Sequence, residues 1–254
     1  MAALLEHLRG LAASTALADQ TELARRLGEP RTLDQLDDPA SRDRSRTQDL
    51  RLARVIDGLR DNSSASAAQT FVTLVGDDEF TASAQRSELL VRSLATRRPL
   101  PPELLAFLDA QARPDSVNLH LAIDTLCQND TAAAWDLVGR KLADGAIEPE
   151  YKIAWLRGPV LEHRRSAAML ELAEKLLEDG SLDRELRVGL AEVLFEYRPD
   201  DWYPGRDGVP RPPDEKLTSP QAAAQLQRIG TIVAGPGYPR RVVEAARRTL
   251  SSLD

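Results

Sequence analysis

A single cysteine, Cys127, stands in a chain of 254 residues, so no disulfide can close within it and no thiolate cluster can hold a metal. Histidine is nearly as scarce. His7, His120 and His163 are scattered, short of a zinc ligand set, and no metal site is expected. Aromatic residues make up only 4% of the chain against 42% hydrophobic residues dominated by Leu and Ala. The core must therefore be aliphatic, which favours helix packed on helix. Lysine occurs only at positions 141, 152, 175 and 216, so the basic residues are almost all Arg, an imbalance that reflects base composition more than chemistry. Net charge is −7, with 14 basic and 15 acidic residues in the first 100 positions and 19 against 25 in the rest. No part forms the basic field of a protein devoted to nucleic acid. Long apolar runs are missing too. The opening "MAALLEHLRGLAAS" is broken by Glu6 and Arg9, and nothing approaches the roughly 18 residues of a membrane span. A soluble, cytoplasmic protein with no membrane partner is expected.

What is present is helical periodicity. In "LDRELRVGLAEVLFEY", Leu182, Leu186, Leu190, Val193, Leu194 and Tyr197 make one continuous stripe, and Met169, Leu170, Ala173, Leu176 and Leu177 make another. Start signals stand at Asp19, Pro101-Pro102, Asp130 and Ser219-Pro220, and stop signals at Gly28, Gly76, Gly145, Gly180 and Gly235. "QTFVTLVGDD", from Gln69 to Asp78, has strand propensity but no second strand to pair with. It is read as helix.

A repeat underlies these helices. A bulky or apolar residue followed by a long polar one, in the first turn of a helix, recurs at Leu50-Arg51, Gln85-Arg86, Val117-Asn118, Tyr151-Lys152 and Leu186-Arg187. The intervals are 35, 32, 34 and 35 residues. Second helices at Ala65 to Gly76, Glu103 to Ala112, Thr131 to Ala143 and Ala167 to Glu178 complete hairpins of about 34 residues, which bury their stripes only by stacking. An all-α, right-handed α-solenoid of about five to six hairpins is predicted. It is read as a single domain, 1–254: capping helices and a charged connection over 1–46, a regular array over 47–197, a Pro-rich inserted loop over 198–218, and a last hairpin with its cap over 219–254. The loop accounts for the 54-residue interval from Arg187 to Arg241, about 20 more than the period.

The period suits two families, and the Trp-x-x-Leu-Gly-x-x-Tyr pattern of tetratricopeptide repeats is absent from every unit. "DGSLDRELRVGLAEVL" (Asp179 to Leu194) instead resembles the second helix of HEAT and HEAT-like repeats, with Leu186-Arg187 in the Val-Arg slot and Leu190, Ala191 and Leu194 as the ladder. "YPRRVVEAARRTL" is similar, with Arg241 in that slot, whereas Gln85, Asn118 and Lys152 depart from the pattern. The resemblance spans about 200 residues, from Thr47 to the end. It implies a structural role for the basic residue, bonded to acids one turn before it: Glu148 for Lys152 and Asp183 for Arg187. It also implies a surface for protein partners.

Enzyme chemistry is thinly represented. No Gly-rich phosphate loop follows a strand, and no cofactor is implied. His120 and Cys127, seven residues apart on one helix, would lie about 10 Å apart along its axis, too far for proton transfer; a partly buried His and an inert core Cys are expected. The acid pairs Asp37-Asp38, Asp77-Asp78 and Asp200-Asp201 fit turns and caps. HEAT-like folds do include alkylpurine DNA glycosylases and bilin lyases. An enzyme of that kind, or a nucleic-acid module using "LATRRP" or "EHRRS", is the alternative. Trp135 and Trp155 belong to core stripes. Trp202 lies in the inserted loop, with Asp200, Asp201, Tyr203, Arg206 and Asp207, the residue types enriched at binding hot spots. A non-catalytic scaffold or adaptor, binding a protein partner through its helical surface and this loop, is the expected function.

Overall fold

The computed structural model describes residues 52–60, 62–179, 182–195 and 220–251. Among them every regular element is helical. The helices are α1 (52–60), α2 (Ala65–Val75), α3 (Asp78–Thr81), α4 (Ala84–Leu94), α5 (Pro102–Gln111), α6 (Leu119–Asn129), α7 (Ala132–Ala143), α8 (Pro149–Trp155), α9 (Ala167–Asp179), α10 (Arg184–Phe195), α11 (Pro220–Val233) and α12 (Arg240–Ser251). A π-helical segment, Leu156–Val160, continues α8. Chain contacts divide the protein into two units, meeting between Thr125 and Leu126.

In the first unit, Leu52, Val55, Ile56 and Leu59 are all buried, one face of α1 at helical spacing. The β-branched segment from Gln69 is helix, as expected: its Thr70, Phe71 and Leu74 face the core and the helix packs on α3 and α5. Local chemistry sets the ends. Ser64 Oγ accepts from the Ala67 amide and Asp77 Oδ1 from the Phe80 amide, each satisfying a donor that the first turn leaves open. Proline at the first position of α5 loses no hydrogen bond there.

The second unit is built by helices two apart in sequence. Helices α7, α9 and α11 pack successively on one another, as do α8, α10 and α12, and the rows are tied by α9 on α10 and α11 on α12. Its described core is largely aliphatic, with Trp135 and Trp155 both buried as expected and Phe195 buried at the end of α10. Close approach of α7 and α9 depends on Gly139, where a Cβ would sit 2.5 Å from Leu172 Cδ1. The Gly158-Pro159 pair interrupts α8: proline has no amide hydrogen to give, and Gly158 adopts φ −112°, ψ −108°, outside the helical region. Leu156 and Val160 on either side remain buried.

Two sequence expectations need correction. Asp130 does not cap α7; Thr131 does, its side chain accepting from the Ala134 amide. Asn118 is not in a first turn but directly precedes α6, buried, its side-chain Nδ2 donating to Gln111 Oε1 at 2.8 Å. Of the repeated dipeptides, Val117 and Tyr151 are exposed, so at those positions it is the polar member that faces inward.

Candidate functional site

The residues selected from the sequence for partner binding, Asp200, Asp201, Trp202, Tyr203, Arg206 and Asp207, lie outside the described residues. What the structure does place is a set of polar side chains in the turns and first helical turns.

The densest group surrounds Asp130. This residue ends α6 in the left-handed region, φ +51°, a conformation that costs an L-residue about 1–2 kcal/mol and is cheapest for Asn, Asp and Gly. That backbone brings one carboxylate oxygen to three neighbours. Oδ1 accepts from Trp135 Nε1 at 2.8 Å and from Ser166 Oγ at 2.5 Å, and lies 3.9 Å from His163 Nδ1. The His163 ring meets Trp135 edge-on at 5.8 Å between centroids. Ser166 also offers its Oγ to the Met169 amide at 3.5 Å, at the start of α9. Aspartate, histidine and serine are thus together, but in the wrong order for nucleophilic catalysis. The serine proton points at a carboxylate, a weak base, and the imidazole sits on that carboxylate rather than on the hydroxyl. The arrangement can hold two turns together; it has no activated nucleophile.

Arg97 plays a comparable part in the first unit. Its Nη2 donates to the carbonyls of Leu59 and Asn62, and its guanidinium lies 4.9 Å from the centre of the Phe71 ring. Burial lowers its pKa from the usual arginine value. Arg164 of the "EHRRS" segment donates to the Leu161 carbonyl at 3.3 Å. In both Arg-rich segments offered as nucleic-acid contacts, then, one arginine is committed to backbone carbonyls.

The basic slot of the repeat differs from expectation. Lys152 is buried and Arg187 half-buried, but among the described residues neither makes a side-chain ion pair with the acid one turn before it. Asp183 Oδ1 instead accepts from the Leu186 amide at 2.9 Å, and the Glu148 carbonyl accepts from the Lys152 amide. Capping a helix start uses the acid locally and leaves the cation to its own surroundings. Arg187 Nε is buried with no hydrogen-bond partner. Close by is Tyr238, whose phenol pKa is raised by burial and partly pulled back by the Arg187 charge.

Cys127 is buried as expected, whereas His120 is exposed rather than partly buried. Among the described residues no three His, Cys, Asp or Glu side chains come together to hold a metal ion. Among them, too, no helix is long and apolar enough to cross a membrane. Comparison with family models, curated proteins and solved structures finds no match.

Proposed function

We propose that the chain is a HEAT-like α-solenoid, acting in the cytoplasm as a non-catalytic scaffold that binds a protein partner through its helical surface and the 198–218 insertion. The observation that carries this reading is the sequence separation of the contacts inside each unit. In the first unit, Thr125 Oγ1 donates to the Val91 carbonyl and Arg97 to the Asn62 carbonyl, 34 and 35 residues away. In the second, Asp130 and Ser166 are bonded across 36 residues. Beyond the insertion the same kind of bridge recurs at longer range: Glu174 pairs with Arg228, 54 residues on, and Glu192 with Arg241, 49 residues on. Bonds at one period, between helices or turns about 34 residues apart, are what stacked hairpins require, and stacked repeats offer extended surfaces suited to many shallow contacts.

The test is competitive capture. The intact chain is immobilised beside a variant in which 199–217 is replaced by a short Gly/Ser link, and bound protein is collected with and without excess soluble chain. The proposal expects a saturable partner, competed by the soluble chain and reduced by the loop replacement. No saturable partner would sink the scaffold; equal capture by both chains would sink the role of the insertion.

A further inference from the structure

The last described helix carries its charge on one side. Val242, Ala245 and Ala246 are buried, and α12 packs on α10 and α11. Arg240, Arg241, Glu244, Arg247 and Arg248 are exposed, so four cations stand in water beside one anion. Exposed positions elsewhere in the second unit mix the signs, as Asp136 and Arg140 do on α7 and Glu171, Lys175 and Glu178 on α9, and the whole chain carries −7. The four arginines form two pairs at a spacing of seven residues, Arg240 with Arg247 and Arg241 with Arg248. Each pair therefore shares a line along the helix, its members about 10 Å apart. Helix stability does not account for the set. The macrodipole favours Arg248 in the last turn but disfavours Arg240 and Arg241 in the first. Carboxylates hold both of these: Arg240 Nε lies 2.7 Å from Glu244 Oε1, and Arg241 reaches Glu192 on α10. Even so, 91% and 68% of their side chains stay exposed.

We propose that the outer face of α12 is a docking surface for a short acidic segment, a run of Asp or Glu, of a protein partner. The match is one of charge and of shape, since an exposed guanidinium offers a carboxylate two parallel hydrogen bonds that an ammonium cannot. An extended segment of about four residues covers the ~10 Å between paired arginines. A short segment suits this face better than nucleic acid does, because a long polyanion running off α12 meets a chain of net charge −7. The proposal rests on the scaffold reading and gives that partner its chemistry.

The test uses the purified full chain and a fluorescein-labelled peptide holding a run of four glutamates, followed by anisotropy. Saturable binding that weakens with added salt is expected, and none to the same peptide built on glutamine. Arg247→Glu with Arg248→Glu should weaken binding about tenfold or more. Arg140→Glu with Arg157→Glu, exposed arginines of α7 and of the π-helical segment, changes net charge equally and should leave binding within about twofold. Arg247→Gln with Arg248→Gln, a milder change checked for native helicity by circular dichroism, should fall between the two. Equal loss in the two charge-reversed chains, or no saturable binding, overturns the site. Duplex DNA bound more tightly than the peptide through the same arginines overturns the assignment to a protein. In the competitive capture described above, a partner held equally by the chain carrying Arg247→Glu and Arg248→Glu refutes this surface and leaves the scaffold standing; no captured partner refutes the scaffold, whatever the peptide does.

Discussion

Asp130 combines a backbone conformation that most residues avoid with a side chain that its neighbours need. Replacing it with alanine leaves Trp135 Nε1 and Ser166 Oγ without their acceptor, and a loss of about 1–3 kcal/mol in unfolding free energy is expected. Asn tolerates the same left-handed backbone and keeps an acceptor oxygen, so Asp130→Asn should lose distinctly less. Denaturant unfolding of the two variants measures the difference, and equal losses would mean that neither the left-handed backbone nor a neutral acceptor oxygen governs this turn. Tyr238 gives a pH dependence of known sign. Its folded pKa lies above the usual 10.0, so the neutral phenol's contribution is intact below pH 10 and is lost as pH rises through the folded value. Between pH 9 and 11, the unaltered chain should lose more stability than Tyr238→Phe does. Parallel curves would exclude the buried phenol as the cause. Little of this was legible in sequence. Asp130 stood out as a helix start because Asp before Thr suits a cap, but the left-handed alternative depends on Ser166, 36 residues away, which local pattern does not reveal.

At the scale of elements, Gly139 shows how closely two helices must approach. Gly139→Ala would push a methyl against Leu172, at 2.5 Å in the present geometry, and should cost about 1–3 kcal/mol. Adding Leu172→Ala opens the space, so the double variant should be less destabilised than the sum of the singles. A cycle that closes to zero would show that the two do not touch in solution. Hydrogen exchange should place the damage of the single variant in α7 and α9, which Gly139 holds together, and leave α12 more protected. Helix positions could be read from sequence because burial on one face forces a 3.6-residue period, and proline and serine mark the starts: α2, α5, α7 and α9 lie within a residue or so of their expected limits. The basic slots were misassigned for a physical reason. An acid one turn before a lysine or arginine can reach either the side chain or the open amides of the helix start, and at Asp183 the amide wins. The residues selected between Asp200 and Asp207 are outside the described part, so their selection rests on residue type alone.

Taken as a whole, the chain holds its helix rows together across a long separation in sequence. Residues 196–219 separate α10 from α11, yet α11 packs on α9, α12 packs on α10, and Arg228 and Arg241 reach back to Glu174 and Glu192. Lengthening a turn of about four residues to this size costs only roughly 1.5 kcal/mol in closure entropy. Continuity of the backbone is therefore a small part of what holds the last two helices in place. The consequence is that the protein should tolerate being made as two polypeptides, 1–195 and 220–254. The shorter piece cannot bury Ala222, Leu226, Ile229 and Val233 alone and should remain unfolded until its complement is added. Mixing the two should restore helicity in circular dichroism and allow co-purification, with Arg228→Glu weakening the reassembly. Fragments that never associate would show that the covalent link, and not the helix rows, holds this end of the chain together.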